Sequence, residues 1–161
     1  MGVMKLFDPP EYQPVARKVF ESVSDELTRL LPGARIEHVG ASSIPGAVSK
    51  GDLDICVVVA AHDHAGTVQT LEASGYVVKA DTLRTPELCM LLSPRKDADV
   101  ALQVVAAGSR FEFFMRFRDA LRADPLLVER YNQLKHNFAD SEAGRYRDEK
   151  TKFIEAVLRS T

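Results

Sequence analysis

The sequence predicts an α/β protein with a helical tail, and three observations carry that reading. An amphipathic stripe with three- and four-residue spacing opens the chain, a β-branched run bounded by turn residues lies near its middle, and every apolar pattern beyond Gly108 is helical. A length of 161 residues fits one domain. That domain is expected to span 1–161, as an α/β core over 1–108 and a helical tail over 109–161 packed on it.

From Tyr12 to Leu31 the apolar positions Val15, Val19, Val23, Leu27 and Leu30 mark a helix that stops at Pro32-Gly33. Arg35 to Val39 alternates as a strand, and the turn-rich segment Gly40 to Gly46 follows it. Asp52 to Val59 is β-branched and apolar after its two carboxylates, which predicts a central strand buried on both faces. His64 to Ser74 suggests a crossover helix ended by Gly75, with Tyr76 to Val78 returning as a strand. Glu87 to Ser93 and Val100 to Ala106 flank the turn Pro94 to Asp97 and predict a hairpin. In the tail, Ser109 and Glu112 have the spacing of a capping box before a stripe of Phe113, Phe114, Phe117 and Leu121. Asp124-Pro125 opens a second helix to about Phe138, and a third runs from about Gly144 to Arg159.

Composition excludes several classes of function. With 45% hydrophobic and 27% charged residues the chain has the makings of a folded core, so neither disorder nor a fibre is expected. The net charge of -2 gives no overall field toward polyanions. It divides unevenly: residues 1–109 carry 10 basic and 14 acidic side chains, residues 110–161 carry 11 and 9. An acidic body is thus joined to a mildly basic tail. Cys56 and Cys89 lie in apolar runs and read as buried free thiols. Met1 to Pro10 lacks the apolar run of a leader, and no stretch reaches the roughly 20 apolar residues of a membrane span. A cytoplasmic protein with no membrane partner is expected.

The chemistry concentrates between His38 and Val59. Residues two apart on a strand face the same side, so Asp52 and Asp54 project together with Cα atoms roughly 6.5 to 7 Å apart. Paired carboxylates repel, and a divalent cation relieves that repulsion. Two Mg²⁺ ions about 3.5 to 4 Å apart can be bridged by such a pair to activate an attacking oxygen and neutralise a leaving phosphate. The turn Gly40 to Gly46 can aim backbone N–H groups and the Ser42 and Ser43 hydroxyls at phosphate oxygens. Lys50, between turn and carboxylates, either pairs with Asp52 or reaches a phosphate. His62-Asp63-His64 reads as a solvated helix start rather than a metal cluster, and His38 as a structural hydrogen-bonding residue.

His38-Val39-Gly40-Ala41-Ser42-Ser43-Ile44-Pro45-Gly46, with Lys50-Gly51-Asp52-Leu53-Asp54 after it, resembles the signature of the GrpB-type proteins, a branch of the nucleotidyltransferase superfamily that includes DNA polymerase β. The tail is similar too, through Phe117 to Arg122, Pro125, Tyr131, Leu134-Lys135, Tyr146, Lys150 and Phe153-Ile154, so the likeness covers nearly the whole chain. It implies a mixed sheet flanked by helices, a Gly-Ser turn for nucleotide phosphates and a metal held by the two aspartates. One departure from the pattern bears on catalysis. Ala41 stands where the superfamily turn has Ser, with Ser42 as the substitute hydroxyl, and the usual third carboxylate falls to Asp99, with Asp97 less suited in its turn. Gln103 shares the strand face of Asp99, at a position where His is expected in many relatives.

The activity implied is Mg²⁺-dependent transfer of a nucleotidyl group from a nucleoside triphosphate to a small-molecule acceptor, with Mn²⁺ as an alternative cation. Asp52, Asp54 and Asp99 are the expected catalytic and metal-holding set, and Gly40, Ser42, Ser43, Lys50, Lys135 and Lys150 the expected nucleotide- and phosphate-binding set. Tyr131 and Tyr146 fit either a stacking role or the core. Without clustered Lys and Arg, nucleic acid is not an expected partner. The alternatives from other classes are a noncatalytic nucleotide-binding protein and an accessory module acting on a partner enzyme.

Overall fold

The β-branched run after Asp52 forms an interior strand, second from one edge, of a five-stranded sheet in the computed structural model, which describes residues 5–161; residues 1–4, part of the segment read for a leader, lie outside it. The strands are β1 (Arg35–Val39), β2 (Leu53–Val59), β3 (Val77–Val78), β4 (Leu88–Leu92) and β5 (Val100–Ala106), in the spatial order β1-β2-β5-β4-β3. β2 runs parallel to β5 and antiparallel to β1, and β4 is antiparallel to both of its neighbours. The sheet is therefore mixed, and β4 and β5 are the expected hairpin. The helices are α1 (Pro9–Leu30), α2 (His64–Ala73), α3 (Phe113–Ala123), α4 (Pro125–Phe138) and α5 (Ala143–Arg159). α2 makes the crossover, carrying the chain from β2 to the far edge at β3.

One face of the sheet is closed. Leu53, Ile55 and Val57 of β2 and Leu102 and Val104 of β5 pack with Val23 and Leu27 of α1 and Val68 and Leu71 of α2 in one buried cluster. On the opposite face Cys56, Val58 and Val105 meet Phe111 and Met115 ahead of and within α3. Both cysteines are buried free thiols. Burial on two sides explains why β2 reads as a continuous apolar run.

Several local expectations shift for identifiable reasons. α1 starts at Pro9, since prolines are tolerated in a first turn, and Glu11 accepts the Asp8 N–H at 2.9 Å. Its buried stripe runs through Tyr12, Ala16, Val23 and Leu27, which leaves Val15 63% exposed, about 100° round the helix from Ala16. Ser109 accepts the Phe111 N–H, while the Glu112 carboxylate takes the N–H of Gly108 rather than that of Ser109. The first turn tightens to a 3₁₀ turn over Arg110–Glu112, and α3 begins at Phe113. His64 is not solvated: it is buried, with Nε2 2.9 Å from the Val104 carbonyl, because α2 lies directly on β5. Among the described residues no helix is long and apolar enough to cross a membrane.

Candidate functional site

The segment between β1 and β2 has almost no regular structure, yet side chains from three helices hold its backbone. Gly40 has φ +73, and a Cβ there would stand 2.5 Å from Asp54 Oδ2, so both the left-handed backbone and the close approach require glycine. A 3₁₀ turn over Ala41–Ser43 follows, with Ser43 Oγ donating to the Gly40 carbonyl at 2.6 Å. Five of the next six carbonyls receive a side-chain donor. Arg122 Nε reaches Ser43 O at 2.9 Å, Gln13 Nε2 reaches Ile44 O at 2.8 Å, and Asn132 Nδ2 reaches Gly46 O at 2.8 Å. The Tyr12 hydroxyl donates to Ala47 O at 2.7 Å, and Lys135 Nζ to Val48 O at 2.6 Å. Asn132 Oδ1 also accepts the Val48 N–H at 2.9 Å. Beneath these contacts Ile44 and Ala47 pack against Phe117, Leu121, Val128 and Tyr131 of α3 and α4. The turn is thereby preorganised, as a site that must hold a ligand needs to be.

Arg118 secures the strand that leads in. Its Nη1 donates to Glu37 Oε1 at 2.7 Å and to the His38 carbonyl at 2.9 Å, and its Nε to Asp119 Oδ1 at 2.9 Å. His38 stacks on Phe20 with ring centres 4.6 Å apart and meets Ser42 Oγ through Nε2 at 2.8 Å. Burial, and then the nearby Arg122, Arg118 and Arg17, lower its pKa to about 4, so it is neutral in neutral solution.

The clamped turn borders a cavity of about 330 Å³, a volume typical of small-ligand sites. Gly40, Ala41, Ser49 and Lys50 come from the turn, Asp52 and Asp54 from the approach to and start of β2, and Tyr131, Lys135, Tyr146 and Lys150 from α4 and α5. Met90 of β4, Gln103 of β5 and Phe113, Phe114 and Phe117 of α3 complete the wall. Asp54 is half-buried at the start of β2. Burial first, and the adjacent Asp52 second, raise its pKa to about 6 against the pull of Lys150, Lys50 and Lys135. Lys135 shows the mirror-image effect: burial, then Lys150, lower its pKa to about 7, while Asp52 and Asp54 oppose the shift. Its Nζ lies 4.0 Å from the Tyr131 ring centre, and Tyr131 stacks on Phe153 with centres 5.5 Å apart. Tyr131 thus belongs to both cavity and core, and burial pushes the Tyr146 hydroxyl up to about 12.

Of the residues singled out in the sequence, Gly40, Lys50, Asp52, Asp54, Lys135 and Lys150 line this cavity together. Ser42, Ser43 and Asp99 do not. The Ser42 and Ser43 hydroxyls are spent on His38 and Gly40 inside the turn. Asp99 is exposed one residue ahead of β5, its carbonyl accepting the Leu53 N–H at 2.9 Å. On that strand the residue facing the cavity is Gln103, in register with Cys56 of β2 and Met90 of β4. Among the described residues no three His, Cys, Asp or Glu side chains converge on one point. Sequence reasoning missed Tyr12, Gln13 and Asn132. The first two join partners more than 30 residues away and leave no local signal. Asn132 betrays itself only as an amide next to the buried Tyr131.

Comparison with known proteins places this geometry. A UPF0157 protein of Vibrio cholerae is 50% identical over 155 residues, covering 96% of this chain and 82% of its own. A UPF0157 protein of Halalkalibacterium halodurans is 30% identical over 159 residues, with 92% and 79% covered. The crystal structure of the conserved protein GrpB from Enterococcus faecalis superposes with a TM-score of 0.77 at 20% identity, over 97% of this chain and 98% of that one. A Cid1 poly(U) polymerase variant bound to MgATP shares the fold over 77% of this chain and 41% of its own, with a TM-score of 0.54 at 17% identity. The core is accordingly nucleotidyltransferase-like. Because residues 10–160 match the GrpB protein family and the relatives agree over nearly the whole length, the chain belongs to the GrpB family.

Proposed function

We propose that the cavity binds a nucleoside triphosphate together with a divalent cation and transfers its nucleotidyl group to a small-molecule acceptor. The observation that carries this reading is the convergence of opposite charges on one cavity: Asp52 and Asp54 from the start of β2 and its approach, Lys135 and Lys150 from α4 and α5, with the Gly40-Ala41 turn also in its wall. The donor set fits a magnesium ion, which takes oxygen ligands and is commonly held by one or two carboxylates with substrate phosphates completing its shell. The pKa of Asp54, raised by burial first and by the neighbouring Asp52 second, marks a carboxylate whose charged form such an ion would stabilise. Cid1 poly(U) polymerase, solved with MgATP and with MgGTP, lends support through the shared fold.

In this mechanism Asp52 and Asp54 hold the cation, which when bound lowers the pKa of the attacking oxygen and neutralises charge on the phosphates. Lys135 and Lys150 bind the leaving phosphates, with Lys50 at the rim. The backbone N–H groups of the Gly40 turn orient the triphosphate in place of the missing hydroxyl at Ala41. Catalysis of this kind is mostly positioning and charge neutralisation, so little more is required. Asp99 has no part in it. Calorimetric titration of ATP, GTP, CTP and UTP with and without Mg²⁺, on the wild type and on Asp54→Asn, tests the reading. Binding that requires Mg²⁺ and is lost in Asp54→Asn is expected, and binding indifferent to both refutes it.

A second reading, nucleotide binding without transfer, is favoured by Asp99 lying outside the cavity, where β5 contributes the neutral Gln103 and no third carboxylate. Phosphorus NMR separates the two: pyrophosphate released in the presence of acceptor alcohols requires transfer, and intact nucleotide with every acceptor supports binding alone.

A further inference from the structure

The charged side chains that line the cavity are Lys50, Asp52, Asp54, Lys135 and Lys150, and they come from the turn, the start of β2, α4 and α5. The half built by β4, β5 and α3 contributes none. There Met90, Phe113 and Phe114 form an apolar wall interrupted by a single polar side chain, Gln103. No protein group holds the Gln103 amide in a side-chain hydrogen bond among the described residues, and no atom of it is buried without a partner, so it opens into the cavity. Its register places it two residues beyond Ala101, the direct neighbour of Asp54, and beside Met90.

We propose that this half is the acceptor site, and that it takes an uncharged molecule with a ring-sized apolar body and one hydroxyl group, which Gln103 orients. The inference rests on the nucleotidyl-transfer reading and names the acceptor class of that same site. In-line displacement puts the attacking oxygen opposite the leaving group. Lys135 and Lys150 attract the leaving pyrophosphate, so the attack comes from across Asp54, where β5 and β4 lie. A charged acceptor entering that apolar half would lose hydration with no countercharge to offset it. An amide supplies both a donor and an acceptor, which suits a hydroxyl that must keep an oxygen lone pair aimed at phosphorus. In the step itself the hydroxyl oxygen forms a bond to the α-phosphorus as the bond from that phosphorus to the bridging oxygen breaks. Pyrophosphate departs with the electron pair, and the hydroxyl proton passes to water.

The test titrates benzyl alcohol, toluene and benzylamine into the full chain saturated with Mg²⁺ and α,β-methylene ATP, following saturation transfer from protein to ligand by NMR. Benzyl alcohol is expected to bind about tenfold more tightly than toluene, with benzylamine weakest. Gln103→Leu is expected to erase the preference for alcohol over toluene, and Met90→Ala to weaken both ligands equally. Equal affinities in the wild type, a preference that survives Gln103→Leu, or displacement of benzyl alcohol by the nucleotide overturns the inference; displacement assigns this half to the nucleobase. Nucleotide bound in calorimetry with no discrimination among the three probes sinks the acceptor site and leaves the proposed function standing. Absence of nucleotide binding removes both.

Discussion

The two faces of the sheet are built from the same strands and differ in what they leave open. On the closed face, Leu53, Ile55, Val57 and Leu102 pack under α1 and α2 with at most 2% exposure, and the role of every side chain is packing. On the other face the same strands bring Asp54 and Gln103 to a cavity, and only farther along do Cys56, Val58 and Val105 close against α3. The difference follows from what covers each end. Two helices lie flat on the closed face, whereas the start of β2 on the open face is bordered by an irregular segment that α1, α3 and α4 hold through backbone carbonyls. Stability and site are thus separated by strand parity, one residue apart.

That contrast gives graded expectations. The largest loss falls on the closed face: Leu102→Ala should lower stability by about 2–5 kcal/mol in urea denaturation without altering which ligands bind. Gly40→Ala should lose about 1–3 kcal/mol through backbone strain, and its Cβ should displace the Asp54 carboxylate, so calorimetry should show Mg²⁺-dependent nucleotide binding abolished. This variant couples the two properties that the faces otherwise keep apart.

Asp54→Asn should do the opposite of a core deletion. The folded pKa of about 6 lies above the ordinary 3.8, so the wild type binds an extra proton when folded between those values and loses stability as pH rises through them. The variant should therefore gain about 1–3 kcal/mol relative to the wild type by pH 7, with no advantage below about pH 4; urea denaturation across that range measures it. Lys135, with its pKa lowered to about 7, is charged below that pH and neutral above it. Nucleotide affinity of the wild type relative to Lys135→Met should therefore fall as pH rises through about 7, by less than tenfold for one partly screened charge. The smallest effect is expected at Val15, which belongs to neither face: Val15→Ser should change the stability measured by urea denaturation by no more than about 0.5 kcal/mol.

Much of the scaffold is legible locally. β1 and β5 occupy the segments that alternation and β-branching mark, and α4 begins at the Asp124-Pro125 cap, because hydrogen bonding along a helix and side-chain alternation along a strand are short-range. The neighbourhood of Gly40, Asp52 and Asp54 is legible for the same reason, since turn and strand are adjacent in the chain. Asp99 and Gln103 show where local reasoning ends. Parity along the chain gives both the same side, yet only the tertiary structure decides that Gln103, within β5, faces the cavity while Asp99, one residue ahead of the strand, faces water. Ser42 and Ser43 differ in kind: their hydroxyls are taken by near neighbours in the chain, His38 and Gly40, through side-chain orientations that residue type alone does not set.

The sequence by itself determined the α/β core, the helical tail, the buried β2 with its two carboxylates and the glycine that must precede them. Only the tertiary structure decided which hydroxyls remain for a ligand, that Lys135 and Lys150 meet those carboxylates across one cavity, and that a neutral amide borders the far half. The hydroxyls are settled by side-chain orientation within the turn, and the lysine and glutamine placements by strand register and helix docking between residues far apart in the chain, which no local pattern of residues encodes.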